Sequence, residues 1–123
     1  MVYRDKHWLC PRDGAGLEGV HIGVYAFMRC PDCRGAFLQP IVLDAMCAAM
    51  GGLRPSTQPI EAARPLRCPS PSCSEPLRRE KVPLSLGVAE IDGCVRHGVW
   101  FDRGALESVL ERVGLDALAA QRR

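Results

Sequence analysis

The 123-residue sequence contains no uninterrupted apolar run near the roughly 20 residues that cross a bilayer, which excludes a membrane-spanning helix. Its opening, MVYRDKHWLC, also lacks the apolar core of a secretory signal, so a cytoplasmic protein is expected. An excess of one charge is missing too. Lys and Arg number 16 against 14 Asp and Glu, a formal net charge of +2. That balance is too even for electrostatic capture of nucleic acid to be the chain's main business. Nor is the cysteine count even. Seven cysteines cannot all pair, and in a reducing compartment they read as metal ligands before disulfides. No grouping of nucleophile, base and acid stands out, so the chain is not expected to be an enzyme.

What is present is globular in character, with 47% hydrophobic residues. The length allows one modest domain or two very small ones. A half of about 50–60 residues buries too little apolar surface to stand alone and needs a staple or a tight mutual interface.

The chain repeats itself. From Cys10 to about Met50 it runs through the turn CPRDG, a strand-like span, the turn CPDCRG and the segment GAFLQPIVL. From Cys68 to about Val113 it runs through CPSPSC, a strand-like span, CVRHG and GVWFDRGAL. Aligning Gly35 with Gly98 sets Phe37 on Trp100, Leu38 on Phe101, Gln39 on Asp102 and Leu43 on Leu106, which reads as a duplicated module. The organisation follows: a first module with its helix over residues 1–50, a linker over 51–65, and a second module with a C-terminal helix over 66–123. The linker, GGLRPSTQPIEAARP, is rich in proline and glycine and poor in helix and strand potential.

Each middle span favours a hairpin. Val20, Ile22, Val24, Ala26 and Met28 alternate with mostly polar or small residues, and Val82, Leu84 and Leu86 begin the same pattern, with Ile91 just before the next turn. Asp102 is placed to N-cap the helix after it, with Phe101 and Leu106 as a hydrophobic staple. Leu38 and Leu43 hold the same places earlier, Pro40 suits the first helical position, and Gln39 is a weaker cap. Leu106, Val109, Leu110 and Val113 form one apolar face, which Leu115 and Leu118 extend past Gly114.

Cys68, Cys73, Cys94 and His97 have the spacing C-x4-C…C-x2-H. Two short-spaced pairs on separate turns, brought together by a hairpin, supply the donors that tetrahedral zinc prefers. Gly98, directly after the last donor, suits a positive φ that frees backbone N–H groups for thiolate sulfur. The first module offers Cys10, Cys30 and Cys33 and leaves its fourth donor open. Asp13 is preferred, because Gly14 follows it as Gly98 follows His97, and carboxylate oxygen binds zinc at nearly the imidazole distance. His7 is its rival, His21 a more remote one, and a metal-free first site is the remaining outcome. Two zinc ions per chain are thus expected. Cys47, in the helical stretch LDAMCAAM, reads as a small buried apolar residue.

CPDCRGAFLQPIVL and CVRHGVWFDRGAL resemble the signature of the TFIIB-type zinc-ribbon family, roughly C-P-x-C-x-G-x-W-L-D-x-G-E-L. The likeness covers about three quarters of the chain as two copies, and the second, with Trp100, Phe101, Asp102, Gly104 and Leu106, is the closer. The first departs from it at Asp13, Phe37 and Gln39. The resemblance implies a small metal-bound α+β fold of two tandem rubredoxin-like ribbons, each a β-hairpin with two zinc turns followed by a short helix. It also implies a structural metal, and in the family's archetype the ribbon docks on RNA polymerase.

Three functions compete. A non-enzymatic adaptor would present Trp8, Trp100 and the terminal helix to a protein partner. A nucleic-acid-binding or transcription-associated protein would use Arg64, Arg67, Arg78, Arg79 and Lys81, although Glu75 and Glu80 interrupt that cluster. A redox switch at Cys30 and Cys33 is disfavoured, because such a pair works at the opening of a helix in a βαβ setting, not in a hairpin turn.

Overall fold

Residues 7–73 and 75–121 are described by a computed structural model of the chain. Residues 1–6, 74, 122 and 123 of the two expected modules lie outside that description. The element order is β1 (Glu18–Ile22), β2 (Tyr25–Arg29), β3 (Ala36–Leu38), α1 (Pro40–Ala49), β4 (Gln58–Pro59), β5 (Arg78–Pro83), β6 (Val88–Cys94), β7 (Gly98–Phe101) and α2 (Ala105–Gln121). All seven strands form one antiparallel sheet in the order β1-β2-β3-β7-β6-β5-β4. This is a small α+β fold.

The two halves meet at β3 and β7. Phe37 pairs with Trp100, Ala36 with Phe101 and Leu38 with Val99. Under the alignment of Gly35 with Gly98, Phe37 therefore sits opposite its own counterpart. The register is unchanged when the halves are exchanged. Strand alternation then sorts the side chains. Ala36, Leu38, Val99 and Phe101 join Leu43, Cys47, Leu106, Val109 and Val113 of the helices in one core. Phe37 and Trp100 point the other way and pack with Cys10, Cys30, Cys68 and Cys94. Helices cover one face of the sheet, and the cysteine turns cover the other.

Several local expectations meet their physical limits here. The alternation from Val20 to Met28 is broken by a two-residue turn at Gly23 and Val24, where Gly23 takes φ 59°. Ile22 pairs with Tyr25, so the phase shifts across the turn. Val20, Ile22, Tyr25 and Phe27 share the helix side, Met28 lies on the cysteine side, and Val24 is exposed. Pro40 does open α1, and Gln39 makes no side-chain cap. Asp102 differs: α2 starts at Ala105, whose N–H is received by the Asp102 backbone carbonyl, while its carboxylate is engaged elsewhere. Leu115 and Leu118 continue the helix yet stay exposed. Within residues 51–65, Gln58–Pro59 adds an edge strand to β5, a position where proline costs no ladder bond.

Candidate metal centre

Four turns carry the donors. The turn from Cys10 to Gly14 precedes β1, and that from Cys30 to Arg34 links β2 to β3. The segment from Cys68 to Cys73 precedes β5, and the turn from Cys94 to His97 links β6 to β7. Cross-strand pairing brings the turns together in twos. Cys10, Asp13, Cys30 and Cys33 form one group of possible ligands and Cys68, Cys73, Cys94 and His97 the other, with ligand atoms in each within 4.8 Å of one another. His7 and His21 are in neither group, and both are exposed. Cys47 is fully buried in the helical core, away from both.

The spacings fit a tetrahedral ion. At the usual zinc bond lengths, sulfur–sulfur edges are about 3.8 Å and sulfur–nitrogen or sulfur–oxygen edges about 3.6 Å. Cys10 Sγ stands 3.6 Å from Cys33 Sγ, and Cys73 Sγ stands 3.9 Å from Cys94 Sγ. His97 Nδ1 is 3.6 Å from the sulfurs of both Cys68 and Cys94. Asp13 Oδ2 is 3.4 Å from Cys30 Sγ. These sulfur pairs are far beyond the roughly 2.05 Å of a disulfide, and all seven cysteines are free. Two groups could therefore hold a metal ion.

The turns are shaped to serve thiolates. The Arg12 N–H donates to Cys10 Sγ at 3.3 Å and the Cys33 N–H to Cys30 Sγ at 3.4 Å. The residue after three of the second donors, Asp13, Cys33 and His97, has positive φ: Gly14 at 77°, Arg34 at 68° and Gly98 at 146°. Burial pushes the Cys10 and Cys68 thiols up to about 12 in the absence of a cation. Ionising three thiols crowded together needs positive charge nearby, which a divalent cation held by either group would supply. Cys94 differs. Burial raises it, but the Arg96 N–H and the His97 ring outweigh burial and bring it down to about 7. Asp13 is exposed, and its carboxyl is lowered chiefly because Oδ1 accepts the Ala15 N–H at 2.9 Å. The two groups are thus unlike: one is walled by cysteine and histidine, the other has a solvent-facing carboxylate corner.

Between them runs a cross-sheet row on the same face: Met28, Phe37, Trp100, Asp92 and Arg79 are successive register partners. The indole N–H of Trp100, which is fully buried, donates to Asp102 Oδ1 at 3.0 Å. Arg12 and Arg79 also reach Asp102, and Arg79 reaches Asp92 at 3.5 Å and Glu90 at 3.5 Å. Burial pushes the Asp92 carboxyl up against the pull of Arg79. Trp100 is accordingly no part of a partner surface. Trp8 is half-buried and packs against Phe37 and, edge-on, His97, with ring centroids 5.9 and 6.0 Å away. The roles of Arg12 and Asp102 were not visible from spacing. The only sequence signal was Trp100 two residues before Asp102, on one side of a strand end.

Among the described residues no helix is long and apolar enough to cross a membrane. Comparison with protein-family models, with curated proteins and with solved structures finds no match for the chain.

Proposed function

We propose that the protein is a non-enzymatic zinc-binding adaptor, in which two structural zinc ions hold a pair of ribbons joined through β3 and β7. The observation that carries this reading is the convergence of two complete four-donor groups at tetrahedral spacing. Thiolate-rich tetrahedra favour zinc over harder cations. Four protein donors leave no place for the water that catalytic zinc activates, which supports a structural role. Cys10, Asp13, Cys30 and Cys33 would hold one ion, and Cys68, Cys73, Cys94 and His97 the other. Each ion supplies positive charge that keeps its thiolates ionised and pins two turns to the sheet. The likeness to TFIIB-type ribbons agrees with a module that docks on another protein.

The basic cluster lends less support to nucleic-acid binding. Arg79 is drawn inward to Asp92 and Asp102, and Lys81 lies opposite Glu90 in the sheet. Native mass spectrometry of protein purified without added metal tests the proposal. Two zinc ions per chain are expected, with loss of cooperative folding on exhaustive chelation. A chain that keeps its cooperative thermal transition without metal overturns it.

A further inference from the structure

The likeness of the halves reaches beyond the donors. Glu18↔Arg29 in the β1–β2 hairpin corresponds to Arg78↔Gly93 in the β5–β6 hairpin, and Ile22↔Tyr25 corresponds to Val82↔Ala89. Beside each hairpin the helices leave a hollow over the sheet. In the second half it holds about 160 Å³, with Leu43, Val82, Ile91 and Val109 among its walls. In the first half it holds about 260 Å³, with Leu106, Ile22, Phe27 and Met46 in the corresponding places.

The two hollows differ in what covers them. Arg54, Pro55 and Thr57 close over the second. This strip is held by Gln58–Pro59 pairing with β5, by the Ile60 N–H donating to the Arg79 carbonyl at 3.0 Å, and by Arg54 Nε on Asp44 at 2.7 Å. Among the described residues, the first hollow is lined by residues of β1, β2, α1 and α2 and by Met50. Exposure differs in the same sense. Ile22 is 54% exposed where its counterpart Val82 is 0%, and Met50 is 42% exposed where its counterpart Val113 is 2%.

The fittings for a similar strip are in place. Among the described residues, nothing pairs with the outer edge of β1. Glu107, which lines this groove, is the counterpart of Asp44. Arg29 also lines it, and its Nε is buried with no hydrogen-bond partner among the described residues, a donor that a peptide carbonyl would satisfy. We infer that the groove beside β1 is a docking site for an extended segment of a partner protein. The segment has the chemistry of residues 53–60: a basic residue for Glu107, a proline or other apolar residue for the hollow, then backbone that adds a strand to β1. The inference rests on the adaptor reading and names the surface that reading needs.

The probe is a synthetic peptide LRPSTQPI with blocked ends, titrated into the zinc-loaded full chain and followed by NMR of methyl and backbone groups. Saturable shifts centred on Ile22, Met46 and Leu106 are expected, with Kd between about 10 μM and 1 mM for so small a contact. Glu107→Lys, or Arg54→Glu within the peptide, is expected to weaken binding at least ~5-fold, and combining the two to restore part of it. No saturable shift at ~5 mM peptide, or shifts confined to β5 and β6, would overturn the inference. So would a groove already protected in the chain alone and opened by removing residues 1–6, which would assign it to the chain itself. Zinc is counted on the same sample first. Two ions with no peptide binding removes the docking site alone, whereas a folded chain without zinc removes the adaptor reading and the docking site with it.

Discussion

Arg12 grips Asp102 with two arms of its guanidinium, Nε donating to Oδ1 at 3.0 Å and Nη2 to Oδ2 at 2.8 Å. One residue lies in a donor turn ahead of β1 and the other just past β7, so this pair ties the two halves of the chain. The same carboxylate receives the buried indole N–H of Trp100. Burial raises the Asp102 carboxyl, but Arg12, then Trp100 and Arg79, hold it below the ordinary carboxylate value.

Asp102→Ala is therefore expected to destabilise by about 1–3 kcal/mol at neutral pH, most of it from the indole left without an acceptor. The partly exposed ion pair adds little beyond that. A carboxyl lowered on folding stabilises above its unfolded value, and that stability is lost as pH falls through the folded value. Paired urea titrations are expected to show a constant gap between wild type and variant from pH 8 to about 5, narrowing below about 4. A gap that widens in acid would contradict this arrangement.

Gly98 makes a different demand. Its φ is 146°, and a Cβ there would strike the carbonyl oxygen of Leu38, with Gln39 Cα just behind. Gly35 shows the matching restriction from the other half, since a Cβ there would enter the Trp100 ring. The obstacle at Gly98 is backbone of a strand that joins the halves, and that at Gly35 is a fully buried ring on the other such strand. Gly98→Ala is expected to cost about 3–4 kcal/mol. Gly19→Ala, with nothing within 4 Å, should stay within about 1 kcal/mol. Equal melting temperatures for the two variants would refute the close approach.

Much of this was legible in the chain itself. The donor spacings are local, and they pointed to the two groups that the fold assembles. Pro40 and the stripe through Leu106, Val109 and Val113 are also local, and they found the helices. The alignment of Phe37 with Trp100 found the repeat but not its meaning. That they pair with each other, and so weld the halves, depends on a contact between residues distant in sequence. Asp102 fitted a capping rule, yet buried Trp100 and nearby Arg12 outbid the helix for its carboxylate. Gln58 and Pro59 have little strand propensity and pair only because β5 presents an open edge.

Arg34 holds φ 68° at the place that Gly14 and Gly98 take in two other donor turns. An L side chain in that region costs about 1–2 kcal/mol, and the Arg34 N–H is already bonded to the Cys30 carbonyl at 3.1 Å. Arg34→Gly keeps that bond and removes the strain, while adding freedom to the unfolded chain. The expected net is a stabilisation of about 0.5–1 kcal/mol, seen as a higher urea midpoint with unchanged slope. A lower midpoint would show that the arginine side chain makes contacts worth more than its backbone strain.

Counting metal separates donors from bystanders. Cys94→Ser removes a buried thiolate from a group whose other corners are Cys68, Cys73 and His97, and one ion is expected to be lost, with loss of cooperative folding in that half. Asp13→Ala removes the exposed corner of the other group, where water can take the fourth position. The first ion should therefore persist in weakened form, exchanging with a chelator at least ~10-fold faster than in wild type. His7→Ala should change neither count nor rate, because His7 is not among the assembled donors. Cys47→Ser completes the set. Its thiol is buried in the helical core, and burial, with the Asp44 carboxylate adding to it, raises it so that it stays protonated. Both ions should remain while stability falls by about 1–2 kcal/mol, the cost of a hydroxyl in an apolar site. Native mass spectra before and after a chelator pulse read all four variants on one scale. Loss of an ion in Cys47→Ser, or none in Cys94→Ser, would reverse the assignment of donors.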